Sequence, residues 1–146
     1  MIIAVVDGMG GSIGNQIVLQ MRAMLPEDTE IIALGTNAIA TGNMMKARAT
    51  RGATGENAVV VSIGEADVIL GSLSIVVPNS MMGEVSPVIA TAIASAKGRK
   101  VLLPISNPPI DVLGVSKKPL QQLIREAVTL VGHHLDLPVQ EGESGV

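Results

Sequence analysis

Between residues 7 and 14 the chain reads Asp-Gly-Met-Gly-Gly-Ser-Ile-Gly, directly after the apolar run Ile2 to Val6. A glycine-rich turn between a buried strand and a helix lets backbone amides close on an anion, and the helix dipole favours negative charge there. Asp7, Gly8, Met9, Gly10, Gly11, Ser12, Ile13 and Gly14 are therefore the first candidate site, with the Ser12 hydroxyl as an additional donor to a phosphate. The spacing departs from the common G-x-G-x-x-G. The alternative is a tight turn that binds nothing.

Other groups with chemical potential are few. The acids near the expected loops are Asp7, Glu56, Glu84 and Asp111. Asp7 is the best placed as an acid or base, although an Asp before a glycine turn often only accepts turn amides. Asn79, Ser80 and Glu84 form a polar cluster around Met81, Met82 and Gly83, read either as a mobile lid or as a helix cap. The two histidines, His133 and His134, are adjacent and lack a third ligand, so a helix C-terminus explains them better than a metal. No metal site is expected, and the residues name no definite catalytic set, leaving open whether the protein is an enzyme.

The elements that hold these groups follow from periodicity. Ile2 to Val6 reads as a strand buried on both faces. Ile13, Ile17, Met21, Met24 and Leu25 predict a helix over 13–25, ended by Pro26. Glu30 to Leu34 is a second strand, and Thr36 or Asn37 caps a helix over roughly 38–48. Residues 58–63 look like a strand, but a parallel crossover to 67–71 needs a dozen or more residues. A helix over about 55–65, opened by Thr54, is preferred, although Val59, Val60 and Val61 suit it poorly. Residues 74–78 stay open between structures. Ser86-Pro87 opens a helix ended by Gly98; 100–105 is a strand, 106–109 a turn and 110–115 a further short strand. Leu120 to Val131 is an amphipathic helix stopped at Gly132.

Strands alternating with helices at this spacing predict a single α/β domain with a doubly wound, mostly parallel, Rossmann-like sheet over 1–134. Residues 135–146 are expected to form a disordered tail. Ligands of such sheets sit outside the carboxyl ends of the strands. That adds Thr36 and Asn37 after the second strand, Gly71 and Ser72 after 67–71, and the loops 79–84 and 106–107.

Composition narrows the partners. The 146 residues are 47% hydrophobic and contain no Phe, Tyr, Trp or Cys, so the core is wholly aliphatic and thiol chemistry is excluded. Without aromatic rings to stack bases, and with a net charge of −3, nucleic acid is not an expected partner. The longest uncharged apolar stretch, Val68 to Pro78, is far short of the about 20 residues of a membrane helix. With no leader discernible, a cytoplasmic protein is expected. A mean hydropathy of +0.48 predicts a homo-oligomer.

Three resemblances bear on the ligand. Read from Gly8, the loop is close to the short-chain dehydrogenase form with Ser12 at the middle glycine. However, Gly35-Thr36-Asn37 lacks the acid that takes the ribose hydroxyls of NAD, and no Tyr-x-x-x-Lys pair is possible. Residues 106–111 resemble the asparagine-proline segment of lactate and malate dehydrogenases, though a stiffened turn accounts for them as well. The third covers more of the chain. The D-G-x-G-G-x-I-G loop with A-L-G-T-N-A at 33–38, G-A-T-G-E-N-A at 52–58, A-D-V-I-L-G at 66–71 and N-S-M-M-G-E at 79–84 resembles a family of short bacterial proteins known only as a domain of unknown function. The likeness implies a Rossmann-like fold and no activity. The expectation is thus a protein that binds a small phosphorylated ligand, a nucleotide such as NAD(P) or another phosphometabolite. The alternatives are an NAD(P)-dependent oxidoreductase and a non-catalytic assembly subunit.

Overall fold

The computed structural model describes residues 1–141. Five strands, β1 (Ile2–Asp7), β2 (Glu30–Gly35), β3 (Arg51–Thr54), β4 (Val68–Ser72) and β5 (Arg99–Leu103), form one sheet in the order β3-β2-β1-β4-β5. Every pairing is parallel. This is the Rossmann-like doubly wound sheet, its chain reversing direction across the sheet between β1 and β4.

The period-2 alternation of strand side chains feeds two aliphatic cores. Ile3, Val5, Ile31, Ala33, Val68 and Leu70 face one side, where they pack on α1 (Ser12–Met24), α2 (Ala38–Lys46) and α5 (Leu120–His134). Ala4, Val6, Ile32, Leu34 and Ile69 face the other, under α3 (Glu56–Ile63) and α4 (Pro87–Ser95). Both faces are covered, which is why β1, β2 and β4 read as unbroken apolar runs.

Two of the N-caps expected from sequence form as side-chain hydrogen bonds, whereas Gly55 rather than Thr54 precedes α3 and no side chain caps that helix. Asn37, rather than Thr36, accepts the Ala40 amide at 2.9 Å, and Ser86 accepts the Ile89 amide at 3.2 Å ahead of Pro87. Residues 56–63 are helical despite their valines. The chain must cross from β3 to β4 on the far face, and Val59 and Ile63, one turn apart, meet that core while Val61 faces solvent.

Several boundaries differ from expectation. The edge strand β3 carries no apolar alternation, its side chains being largely exposed, so only its backbone pairing to β2 reveals it. Arg51 on this strand pairs with Glu30 and Glu65 at 3.1 and 3.2 Å. Residues 73–76 form a 3-10 turn. Residues 110–115 form no strand: Pro108 and Pro109 remove ladder donors ahead of them, and Gly114 turns the chain at φ 85. α4 ends at Ser95, before Gly98, whose missing side chain instead lets the chain pass the Ala66 carbonyl. Gly132 does not stop α5 but lies inside it, where its bare backbone admits Val139. Leu137 donates to the Gly132 carbonyl at 2.8 Å and Gln140 to the Met24 carbonyl at 2.8 Å, so the first residues of the expected tail dock on the first core. The remainder of that tail, 142–146, lies outside the described residues.

Candidate functional site

The glycine loop leaves β1 through Asp7, which is 5% exposed. Its two carboxylate oxygens accept the Gly8 amide at 2.8 Å and the Gly14 amide at 2.7 Å, closing the loop from beneath. Burial raises the Asp7 pKa above the ordinary carboxylate value. The two amides oppose the rise, and the Glu84 charge adds to it. Asp7 thus holds the turn together, one of the two roles weighed for it from sequence.

Within the turn the glycines have separate tasks. Gly11 is left-handed at φ 73 and lies against α2, an added Cβ falling 2.6 Å from the Ala40 Cα. Gly14 lets α1 pass Met44 and the Asp7 side chain. Met9, not Gly10, supplies the second left-handed residue, at φ 54. A Cβ on Gly10 would meet nothing within 4 Å. Gly10 is thus the one loop glycine with neither a steric nor a torsional need to be glycine.

The carbonyls of the turn are held toward α2. Asn37 Nδ2 donates to the Met9 carbonyl at 2.9 Å and Asn43 Nδ2 to the Gly10 carbonyl at 2.5 Å. Across a planar trans peptide the N–H lies antiparallel to the C=O. The Gly10 amide therefore faces away from α2. Ser12 and Ile13 open α1, so their amides have no acceptor within the helix.

On that side of the turn is a cleft of about 210 Å³ between the carboxyl ends of β1, β4 and β5. Residues 7–13 form one wall; Ser72, Ser74, Met81 and the 105–107 turn form the other. The far wall is braced. The Ser80 hydroxyl donates to the Ser74 carbonyl at 2.5 Å, and Ser74 Oγ accepts the Asn107 amide at 2.9 Å. The Met81 amide donates to the Asn107 carbonyl at 2.9 Å. Ser72 also lines the cleft, and its Oγ is buried with no hydrogen-bond partner among the described residues. No Lys or Arg lines the cleft, so its donors are amides and hydroxyls.

The remaining expected residues divide. Thr36 and Asn37 lie on the opposite side of the glycine turn, joined there by Glu84. Glu84 Oε1 accepts from the Met9 amide at 2.9 Å, Thr36 Oγ1 at 2.7 Å and Asn37 Nδ2 at 2.7 Å. Gly71 does not line the cleft; it lies within β4 where a Cβ would strike the Val6 carbonyl and Ile75. Asn43 was not a candidate from sequence, being one of several polar residues in α2, and nothing local marks it. Among the described residues, no three His, Asp or Glu side chains gather as a metal site, and His133 and His134 sit at the end of α5. No helix among the described residues is long and apolar enough to cross a membrane.

A parallel sheet in this order, with a glycine turn leading from β1 into a helix, defines a Rossmann-like α/β protein. The chain belongs to the family described as a domain of unknown function (DUF3842), whose model matches residues 2–136. No curated protein and no solved structure matches it.

Proposed function

We propose that this protein binds a nucleotide or another phosphorylated metabolite in the cleft between β1 and β4, with the phosphate on the Gly10, Ser12 and Ile13 amides. The observation that carries the reading is the orphaned Ser72 hydroxyl, a buried polar group without a partner among the described residues, on a residue that lines the cleft. Such groups are rare in folded proteins and call for an explanation. A ligand that accepts from or donates to it supplies one. The open space over Gly10 and the antiparallel setting of its amide support the same placement. So does the general position of ligands where the strand order of such sheets reverses.

NAD(P) is one ligand that fits this cradle. The hydroxyls and the bare Gly10 would receive its pyrophosphate, and the 105–107 turn would border the rest of the molecule. Self-association is a further part of the reading, since Leu113 is 95% exposed and Val112 and Val115 beside it are half-exposed.

Ser72→Ala tests the ligand reading with opposite signs in two measurements. Removing a buried, unpartnered hydroxyl is expected to leave thermal stability unchanged or raise it by up to about 1 kcal/mol. The same change should weaken nucleotide binding by about tenfold, as loss of one hydrogen bond does. A variant that melts lower and binds ligand as well as the parent would refute the role. The starting ligand can be sought directly: a chain without Phe, Tyr, Trp or Cys hardly absorbs in the near ultraviolet, so a nucleotide retained through purification shows as a band.

A further inference from the structure

The acid that nucleotide ribose requires is missing from the sequence after β2, but the fold delivers one there from elsewhere. In sheets of this order the ribose hydroxyls are met by a carboxylate at the carboxyl end of β2. Here Gly35, Thr36 and Asn37 occupy that end. The Glu84 carboxylate stands among them, held by Thr36, Asn37 and the Met9 amide of the glycine turn. It arrives from the loop between β4 and α4.

We infer that Glu84 is the ribose-diol acceptor for a ligand that spans the glycine turn, its phosphate in the cleft and its ribose at the β2 end, and that this ligand is a ribonucleotide with free 2′- and 3′-hydroxyls. This rests on the reading of the cleft as a nucleotide site. Three donors converge on Oε1 and orient the carboxylate, while Oε2 makes no hydrogen bond to the described residues. A half-buried anion with one oxygen fixed and the other free is suited to accepting a hydroxyl. A 2′-phosphate would meet like charge, which narrows NAD(P) to NAD, and a 2′-deoxyribose would leave Oε2 without its partner. The hydrogen bond from Thr36, foremost, holds the Glu84 pKa below its ordinary value, so the acceptor is ionised at neutral pH.

The backbone around Glu84 is set to keep it there. Asn79, Met81 and Met82 are left-handed at φ 63, 54 and 57, and Gly83 follows at φ 90. Left-handed backbone in non-glycine residues is unfavourable and persists where surrounding contacts over-determine it. Those contacts are backbone hydrogen bonds: the Asn79 amide donates to the Val85 carbonyl at 2.7 Å, the Val85 amide donates to the Ser80 carbonyl at 3.2 Å, and the Met81 amide donates to the Asn107 carbonyl. The strained segment places one acid against the β2 end without relying on local sequence.

Calorimetric titration of the full chain with ADP, 2′-deoxy-ADP and inorganic pyrophosphate separates the possibilities. The parent protein is expected to prefer ADP over 2′-deoxy-ADP by about tenfold or more, the penalty for leaving a charged acceptor unpaired. Glu84→Gln keeps an oxygen for Thr36 and Met9, so it should melt within a few degrees of the parent. It should bind 2′-deoxy-ADP and pyrophosphate within about twofold of the parent while its preference for ADP falls below about threefold. If the parent binds ADP and 2′-deoxy-ADP equally, Glu84 has no ribose role and the cleft reading stands. Should none of the three bind, the cleft reading itself fails and the role of Glu84 with it.

Discussion

Gly11→Ala is expected to destabilise the protein by about 2–5 kcal/mol, while Gly10→Val, one residue earlier, leaves the fold intact and removes ligand binding. Alanine at φ 73 incurs about 1–2 kcal/mol for the left-handed backbone. Its Cβ would also lie 2.6 Å from the Ala40 Cα and 2.9 Å from the Ala40 carbonyl oxygen. Overpacking of that kind costs about 1–3 kcal/mol more. For a chain of this length the melting temperature should fall by roughly 10 °C.

At Gly10 the accounts reverse. A side chain there meets nothing within 4 Å, and the backbone is not left-handed. Losing a glycine reduces the freedom of the unfolded chain, so stability is expected to hold or rise by about 0.4–1 kcal/mol. The valine methyls would stand where the phosphate approaches, and affinity should fall by about a hundredfold, roughly 2.7 kcal/mol. Thermal melts with and without nucleotide read both effects. If both variants unfold alike, the turn is purely structural.

Asp7→Ala should be nearly as damaging as the change at Gly11. It would strip acceptors from the Gly8 and Gly14 amides inside the fold, each a loss of about 1–3 kcal/mol. The charge on Asp7 acts in the other direction. Because burial raises its folded pKa above the unfolded value, the ionised form is disfavoured in the native state. That penalty is fully present above the folded pKa and relieved as pH falls through it. Glu84 and Glu126, whose pKa values are lowered by Thr36 and Lys118 respectively, lose their contributions only as pH falls through their own, lower values. Unfolding measured from neutral pH downward should therefore show stability rising first and falling afterwards. In Asp7→Asn the early rise should vanish; a monotonic decline in the parent would contradict the assignment.

The central strands and their helices were legible because each carries its reason locally. Ile2 to Val6 is apolar without interruption, and Ser86-Pro87 is a cap followed by the residue that suits a first turn. β3 was not legible, since an edge strand with exposed side chains needs no hydrophobic pattern. Residues 110–115 misled for the converse reason: Ile110, Val112 and Val115 have strand-forming side chains, yet the chain there has no ladder to join. The glycine turn was visible as a unit, but the division of labour among Gly10, Gly11 and Gly14 depends on how closely α2 approaches it, which no residue within the turn announces. Glu84 was noted as an acid near the loops. Its arrival beside Thr36, across 48 positions of sequence, is a property of the three-dimensional path alone.

The Arg51 bridge to Glu30 and Glu65 also bears on how this protein behaves when concentrated. β3 is only four residues long and pairs with β2 on one side, leaving its other side as a border of the sheet. Bare borders invite a strand from another molecule, and short length and fixed charge are common deterrents. An incoming strand here would gain only a few ladder bonds beside a cluster of fixed charges. Growth by adding strands at this rim is thereby discouraged, so crowding should drive copies together through helix or loop surfaces and keep them short of fibrils.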